Sequence, residues 1–140
     1  MGNFRYTAEV FALPERVWAA LLDVERWPEW TPTVTSLQRL DAGPLAVGSR
    51  ARIRQPKLRP AEWQVTELDE GARSFTWVTR SPGVQVTGGH SVEADGGGSR
   101  ATLSLQFSGL LGPLAACFYR RLNERYLATE AKGLKERSEG

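Results

Sequence analysis

One cysteine, one histidine and three lysines stand among 140 residues, and each scarcity excludes something. Cys117 alone can form neither an intramolecular disulfide nor a cysteine-rich zinc site. His90 alone rules out a multi-histidine metal centre. No uninterrupted apolar run approaches the roughly 20 residues of a membrane span, and no basic start followed by an apolar run marks a secretory signal. A cytoplasmic protein without a membrane span is therefore expected. Phosphate loops, nucleophile elbows and dinucleotide fingerprints are absent, so neither cofactor nor metal is expected. Few lysines against fifteen arginines, with abundant alanine and glycine, point to a GC-rich bacterial genome.

What is present suits a single domain spanning 1–140, in which 41% of residues are apolar and 24% charged. Phe4 to Phe11 alternates at the period of a strand, with Phe4, Tyr6, Ala8 and Val10 on one face. From Leu13 the period changes. Val17, Trp18, Leu21 and Leu22 share a helical face, and Pro14 suits a first turn where its missing N–H costs nothing. A second short helix, Val24 to Trp30, is interrupted at Pro28. Six further strands are expected at Thr33–Leu40, Arg50–Gln55, Glu62–Leu68, Arg73–Arg80, Val84–Glu93 and Arg100–Ser108, divided by turn residues such as Ser81-Pro82-Gly83 and the triplet Gly96-Gly97-Gly98. Short connections favour antiparallel neighbours. One long helix, Gly112 to about Glu136, closes the chain. Its core stripe is read as Leu111, Leu114, Ala115, Phe118, Leu122, Tyr126 and Thr129. Seven antiparallel strands twist and curl, and only this helix is long enough to cover their concave face. The expected fold is α+β, with a cavity where straight helix and curved sheet part.

The run Leu13-Pro14-Glu15-Arg16-Val17-Trp18-Ala19-Ala20-Leu21-Leu22-Asp23-Val24-Glu25-Arg26-Trp27-Pro28-Glu29-Trp30 resembles the opening of the START-like (SRPBCC) superfamily. The branch it resembles is the polyketide cyclase/dehydrase-like and lipid-transport families of helix-grip, Bet v 1-like proteins. Gly98 to Leu103, Phe107-Ser108-Gly109 and Leu110 to Leu114 match the other end, so the resemblance covers essentially the whole chain. It implies a deep cavity for lipids, polyketides or other apolar molecules, and by itself no reaction.

Strand parity nominates the cavity wall. Val84, Val86, Gly88, His90 and Val92 share the inward face of their strand, with Gly88 leaving room beside His90. Two readings fit His90: a proton shuttle or ligand partner titrating near working pH, or a core histidine satisfied by a backbone carbonyl. Phe75, Trp77 and Thr79 alternate on one face, as do Trp63 and Val65, and either line the cavity or pack the core. Gln55, sharing a face with Ala51 and Ile53, is a polar anchor. Trp27 and Trp30 are expected to plug one end or to shield the sheet edge, and Phe118 and Leu122 to face the ligand from the last helix, where Arg125 either reaches a ligand carboxylate or lays an apolar stem with its head in water. Cys117 reads as a small buried hydrophobe. Arg50, Arg52 and Arg54, with Lys57 and Arg59, make a basic ridge whose simplest reading is a solvated face. No nucleic-acid motif accompanies it.

Three functional classes fit this sequence: a binding module for a small apolar molecule, a polyketide cyclase or dehydratase using cavity shape and His90 for proton transfer, and a protein-interaction module. The chain would act as a monomer or homodimer.

Overall fold

Alternating side chains and short turns build one seven-stranded antiparallel sheet, in the order β1-β7-β6-β5-β4-β3-β2. The computed structural model describes residues 2–140. The strands are β1 (Gly2–Val10), β2 (Ser36–Arg39), β3 (Arg50–Arg54), β4 (Ala61–Asp69), β5 (Ser74–Ser81), β6 (Val84–Asp95) and β7 (Gly98–Ser108). Helix α1 (Pro14–Leu22) and a 3₁₀ helix (Val24–Glu29) follow β1. Strand β2 is shorter than expected, because Thr31 to Thr35 forms a loop in which Val34 N–H donates to the Thr31 carbonyl.

The period-2 pattern holds where it matters. Val92, His90 and Gly88 on β6, and Phe75 and Trp77 on β5, are buried. In β4 a bulge shifts the register between Val65 and Glu67. It reverses the parity, so Leu68 packs on the same core as Trp63 and Val65. The β6–β7 turn falls on Gly96 and Gly97, with Gly96 at a φ of +61° that side-chain-bearing residues rarely adopt.

The C-terminal helix differs from expectation in phase and continuity. It is two helices, α2 (Gly112–Phe118) and α3 (Arg120–Glu139), joined at Tyr119, whose φ of −99° and ψ of 16° depart from helical values. Leu114 and Phe118 are not core residues: they are 69% and 79% exposed. The cause is the closeness of α2 to the sheet. Its buried residues are Gly112 and Ala116, and a Cβ at Gly112 would lie 3.2 Å from the Phe107 carbonyl carbon. Only small residues fit that contact, which turns the large ones outward.

Beyond the kink, α3 buries Asn123, Leu127, Ala131, Leu134 and Ser138, a stripe about a third of a turn away from the one through Leu122 and Thr129. Leu122 is half-buried and Arg125 exposed. Gly133 lets α3 lie flush against the loop at Trp30, where a Cβ would stand 2.0 Å from the Trp30 carbonyl oxygen. Cys117, expected inside, is exposed. No helix of the described residues is long and apolar enough to cross a membrane.

Candidate functional site

Where the kinked helices part from the sheet lies a cavity of about 700 Å³, within the roughly 300–1,000 Å³ of small-molecule sites. The sheet supplies Trp63, Trp77, Thr79, Val86, Gly88, His90 and Leu103; α3 supplies Asn123, Tyr126, Leu127 and Glu130. Trp27 closes the inner end. The mouth is formed by the β3–β4 loop, Gln55 to Pro60, by Arg80 and Ser81, and by Ala115 and Tyr119. The Tyr126 hydroxyl donates to the Pro56 carbonyl and straps that loop to α3.

Of the residues nominated from sequence, Trp27, Gln55, Trp63, Trp77, Thr79, Val86 and His90 come together at the cavity wall. Five do not. Phe75 is fully buried behind His90, and Trp30 packs at a tilt against Trp27, with ring centroids 5.6 Å apart, outside the cavity lining. Phe118, Leu122 and Arg125 point elsewhere because the buried stripe of the two helices, Gly112, Ala116, Asn123 and Leu127, is offset from the expected one along its whole length. The space at Gly88 is taken by indoles rather than by His90: a Cβ there would lie 3.2 Å from Trp77 and 3.4 Å from Trp63.

His90 satisfies part of both its readings. Its Nδ1 lies 3.2 Å from the Phe75 carbonyl oxygen. A carbonyl only accepts, so Nδ1 carries the proton and a neutral ring presents an Nε2 lone pair. The ring stacks on Phe75 at 4.2 Å and meets Trp27 and Trp77 at 5.4 and 5.7 Å. This dry aromatic box lowers its pKa to about 4, against the smaller opposing effect of the Phe75 hydrogen bond. His90 is neutral at pH 7.

Two polar residues of the cavity, Glu130 and Asn123, were missed from sequence, as was the polar edge of Trp63. Glu130 turns its carboxyl group out of solvent, and that burial raises its pKa to about 7, partly offset by a hydrogen bond from the Thr33 hydroxyl at 3.0 Å. Asn123 and Trp63 each hold a donor, Nδ2 and Nε1, buried without a protein partner among the described residues. Trp63 was nominated as a flat apolar wall; its N–H is the feature that parity could not show. A signal for Asn123 and Glu130 exists in hindsight: polar residues at positions 123 and 130 share the phase of Leu127 and Leu134, where a helix packing on a dry core would carry apolar ones.

Residues 1–139 match the family model described as polyketide cyclase / dehydrase and lipid transport. The chain belongs to this family. Solved structures share the fold. Zhui aromatase/cyclase from Streptomyces sp. R1128 aligns with a TM-score of 0.80 at 17% identity, covering 98% of this chain and 93% of that one. TTHA0849 from Thermus thermophilus aligns at 0.78 with 21% identity, covering 97% and 96%. The di-domain ARO/CYC BexL of the BE-7585A biosynthetic pathway aligns at 0.77 with 19% identity, covering 98% of this chain and 46% of that one. Identities this low speak for the fold alone. No curated protein matches the sequence. Within the family frame the site is an aromatic-walled cavity with a small set of polar groups.

Proposed function

We propose that the protein binds a largely apolar molecule carrying oxygen acceptors, such as a polyketide or an oxygenated aromatic, in this cavity. The observation that carries the reading is the pair of buried, unpartnered donors, Trp63 Nε1–H on the sheet and Asn123 Nδ2–H on α3, held by two residues that line the cavity. A buried donor without a partner costs about 1–3 kcal/mol, which an acceptor on a ligand would remove. A plain hydrocarbon chain would leave that cost in place. The aromatic walls suit a planar ring system.

The experiment compares acetonaphthone with ethylnaphthalene, two probes of similar shape that differ in a carbonyl oxygen. The protein should bind the ketone about tenfold or more tightly. Trp63→Phe combined with Asn123→Leu should erase that preference while retaining affinity for the hydrocarbon. Equal affinity of the unaltered protein for both probes would refute the reading.

A second reading, an enzyme that cyclises or dehydrates a poly-carbonyl chain, is favoured by His90 and Glu130. The two sites are shifted in opposite directions, leaving a neutral imidazole and a carboxyl group that is partly protonated near pH 7. The His90 Nε2 lone pair would take a proton from a methylene between two carbonyls. The carbanion formed would attack a second carbonyl, and the Glu130 carboxyl would protonate the resulting alkoxide. Family membership and the aromatase/cyclase relatives support a cyclase role, and cavity shape would supply the orientation. Turnover of a poly-carbonyl substrate that survives both His90→Gln and Glu130→Gln would remove this reading and leave the binding one standing.

A further inference from the structure

We propose that the ridge on α2 beside the cavity mouth docks the protein onto an anionic lipid surface. Leu110, Leu114 and Phe118 are 93%, 69% and 79% exposed, and Leu111 is exposed beside them. Leu111, which precedes α2, and Leu114 and Phe118 on it recur at helical spacing, and the neighbouring face of the same helix carries Ala115 at the cavity mouth. Three large apolar side chains in solvent, with Leu111 packed on Gly83 beside them, match insertion into the boundary between headgroups and acyl chains.

Charge selects the occupant. Arg121 and Arg125 follow Phe118 at three and seven residues, on the continuing line of the helix, and both are exposed. Lys57, Arg59 and Arg80 rim the mouth. None of these five pairs with a carboxylate among the described residues. Between Leu110 and Leu127 the sequence has one acid, Glu124, against three arginines. An isologous contact with a second copy would bring this arginine line against itself, an arrangement that like-charge repulsion opposes. An anionic surface answers both the apolar ridge and the unpaired cations. With the mouth seated on lipid, an apolar ligand would pass between bilayer and cavity without crossing water.

The test is co-sedimentation of the full chain with vesicles of phosphatidylcholine alone or mixed with phosphatidylglycerol, at low and high salt. Binding is expected on the mixed vesicles, weakened by salt as each basic residue near an anionic surface contributes about fivefold. Leu114→Ser with Phe118→Ser should lower partitioning by at least about tenfold. Arg121→Gln with Arg125→Gln should lower it on mixed vesicles only. All four positions face solvent, so wild-type melting confirms folding, and unchanged ketone affinity in the Ser variant keeps this test separate from the cavity reading. No binding to mixed vesicles, or undiminished binding by the Ser variant, would overturn the proposal. A dimer dissociated by Leu114→Ser and Phe118→Ser would overturn it in favour of a second copy, and retention by an acidic protein without vesicle binding would overturn it in favour of a protein partner.

Discussion

His90 is bound twice to one residue: its imidazole stacks on the Phe75 ring at 4.2 Å with an interplanar angle of 12°, and its Nδ1 donates to the Phe75 carbonyl at 3.2 Å. Backbone and side chain of Phe75 thus hold both the tautomer and the plane of the ring. The Nε2 edge is left as the free acceptor.

The opposed shifts of His90 and Glu130 predict a flat region in stability against pH. The His90 pKa falls from 6.5 to about 4, so its contribution is complete above 6.5 and is lost as pH falls towards 4, up to about 3 kcal/mol. The Glu130 pKa rises from 4.5 to about 7, so its contribution is complete below 4.5 and is lost as pH rises through 7. Between about 4.5 and 6.5 the unfolded chain protonates the histidine and the folded chain the carboxyl group, so proton counts match and the two slopes cancel. Chemical denaturation across this range should show little change from these groups. His90→Gln should make stability fall with rising pH, and Glu130→Gln should make it rise. The same slope in both variants would contradict the assignments.

Helix phase is tested by a pair of truncations. Phe118→Ala should cost less than about 1 kcal/mol because the ring faces solvent. Leu127→Ala should cost about 2–5 kcal/mol, since Leu127 is buried on the cavity side of α3. Reversed magnitudes in denaturant titrations would restore the unbroken stripe.

Gly133→Ala isolates the seat of α3. Alanine is the better helix former by about 1 kcal/mol, yet its Cβ would stand 2.0 Å from the backbone oxygen of Trp30. The clash should win, with a net loss of about 1–3 kcal/mol from forced backbone shifts. A stabilised variant would mean that helix and loop are not in contact.

Much of this architecture is legible without coordinates. Strand parity placed Trp63, Trp77, Val86 and His90 on the cavity face because β-strands repeat every two residues and the turns between them are short. The helical stripe of Leu111, Leu114 and Phe118 is also real, but hydrophobic periodicity does not say whether a face meets core or solvent. That choice was made by the close approach at Gly112 and Ala116, a tertiary distance. Asn123 and Glu130 were overlooked for the same reason, since polar side chains at core phase gain meaning only once a cavity opens in front of them. Phe75 kept its parity yet lost the cavity, because His90 stands between the two.

In the proposed site, Trp63 and Asn123 offer their unpartnered N–H groups to an oxygen acceptor on the ligand. Proton–nitrogen correlation spectra of labelled protein test it most directly, with the Trp63 and Asn123 signals assigned through Trp63→Phe and Asn123→Leu. Adding acetonaphthone should move the Trp63 indole N–H and the Asn123 side-chain N–H downfield as hydrogen bonds form, and ethylnaphthalene should not. If saturating ketone leaves both signals in place, or if the hydrocarbon moves them equally, those donors do not serve a ligand oxygen and the account of the cavity fails.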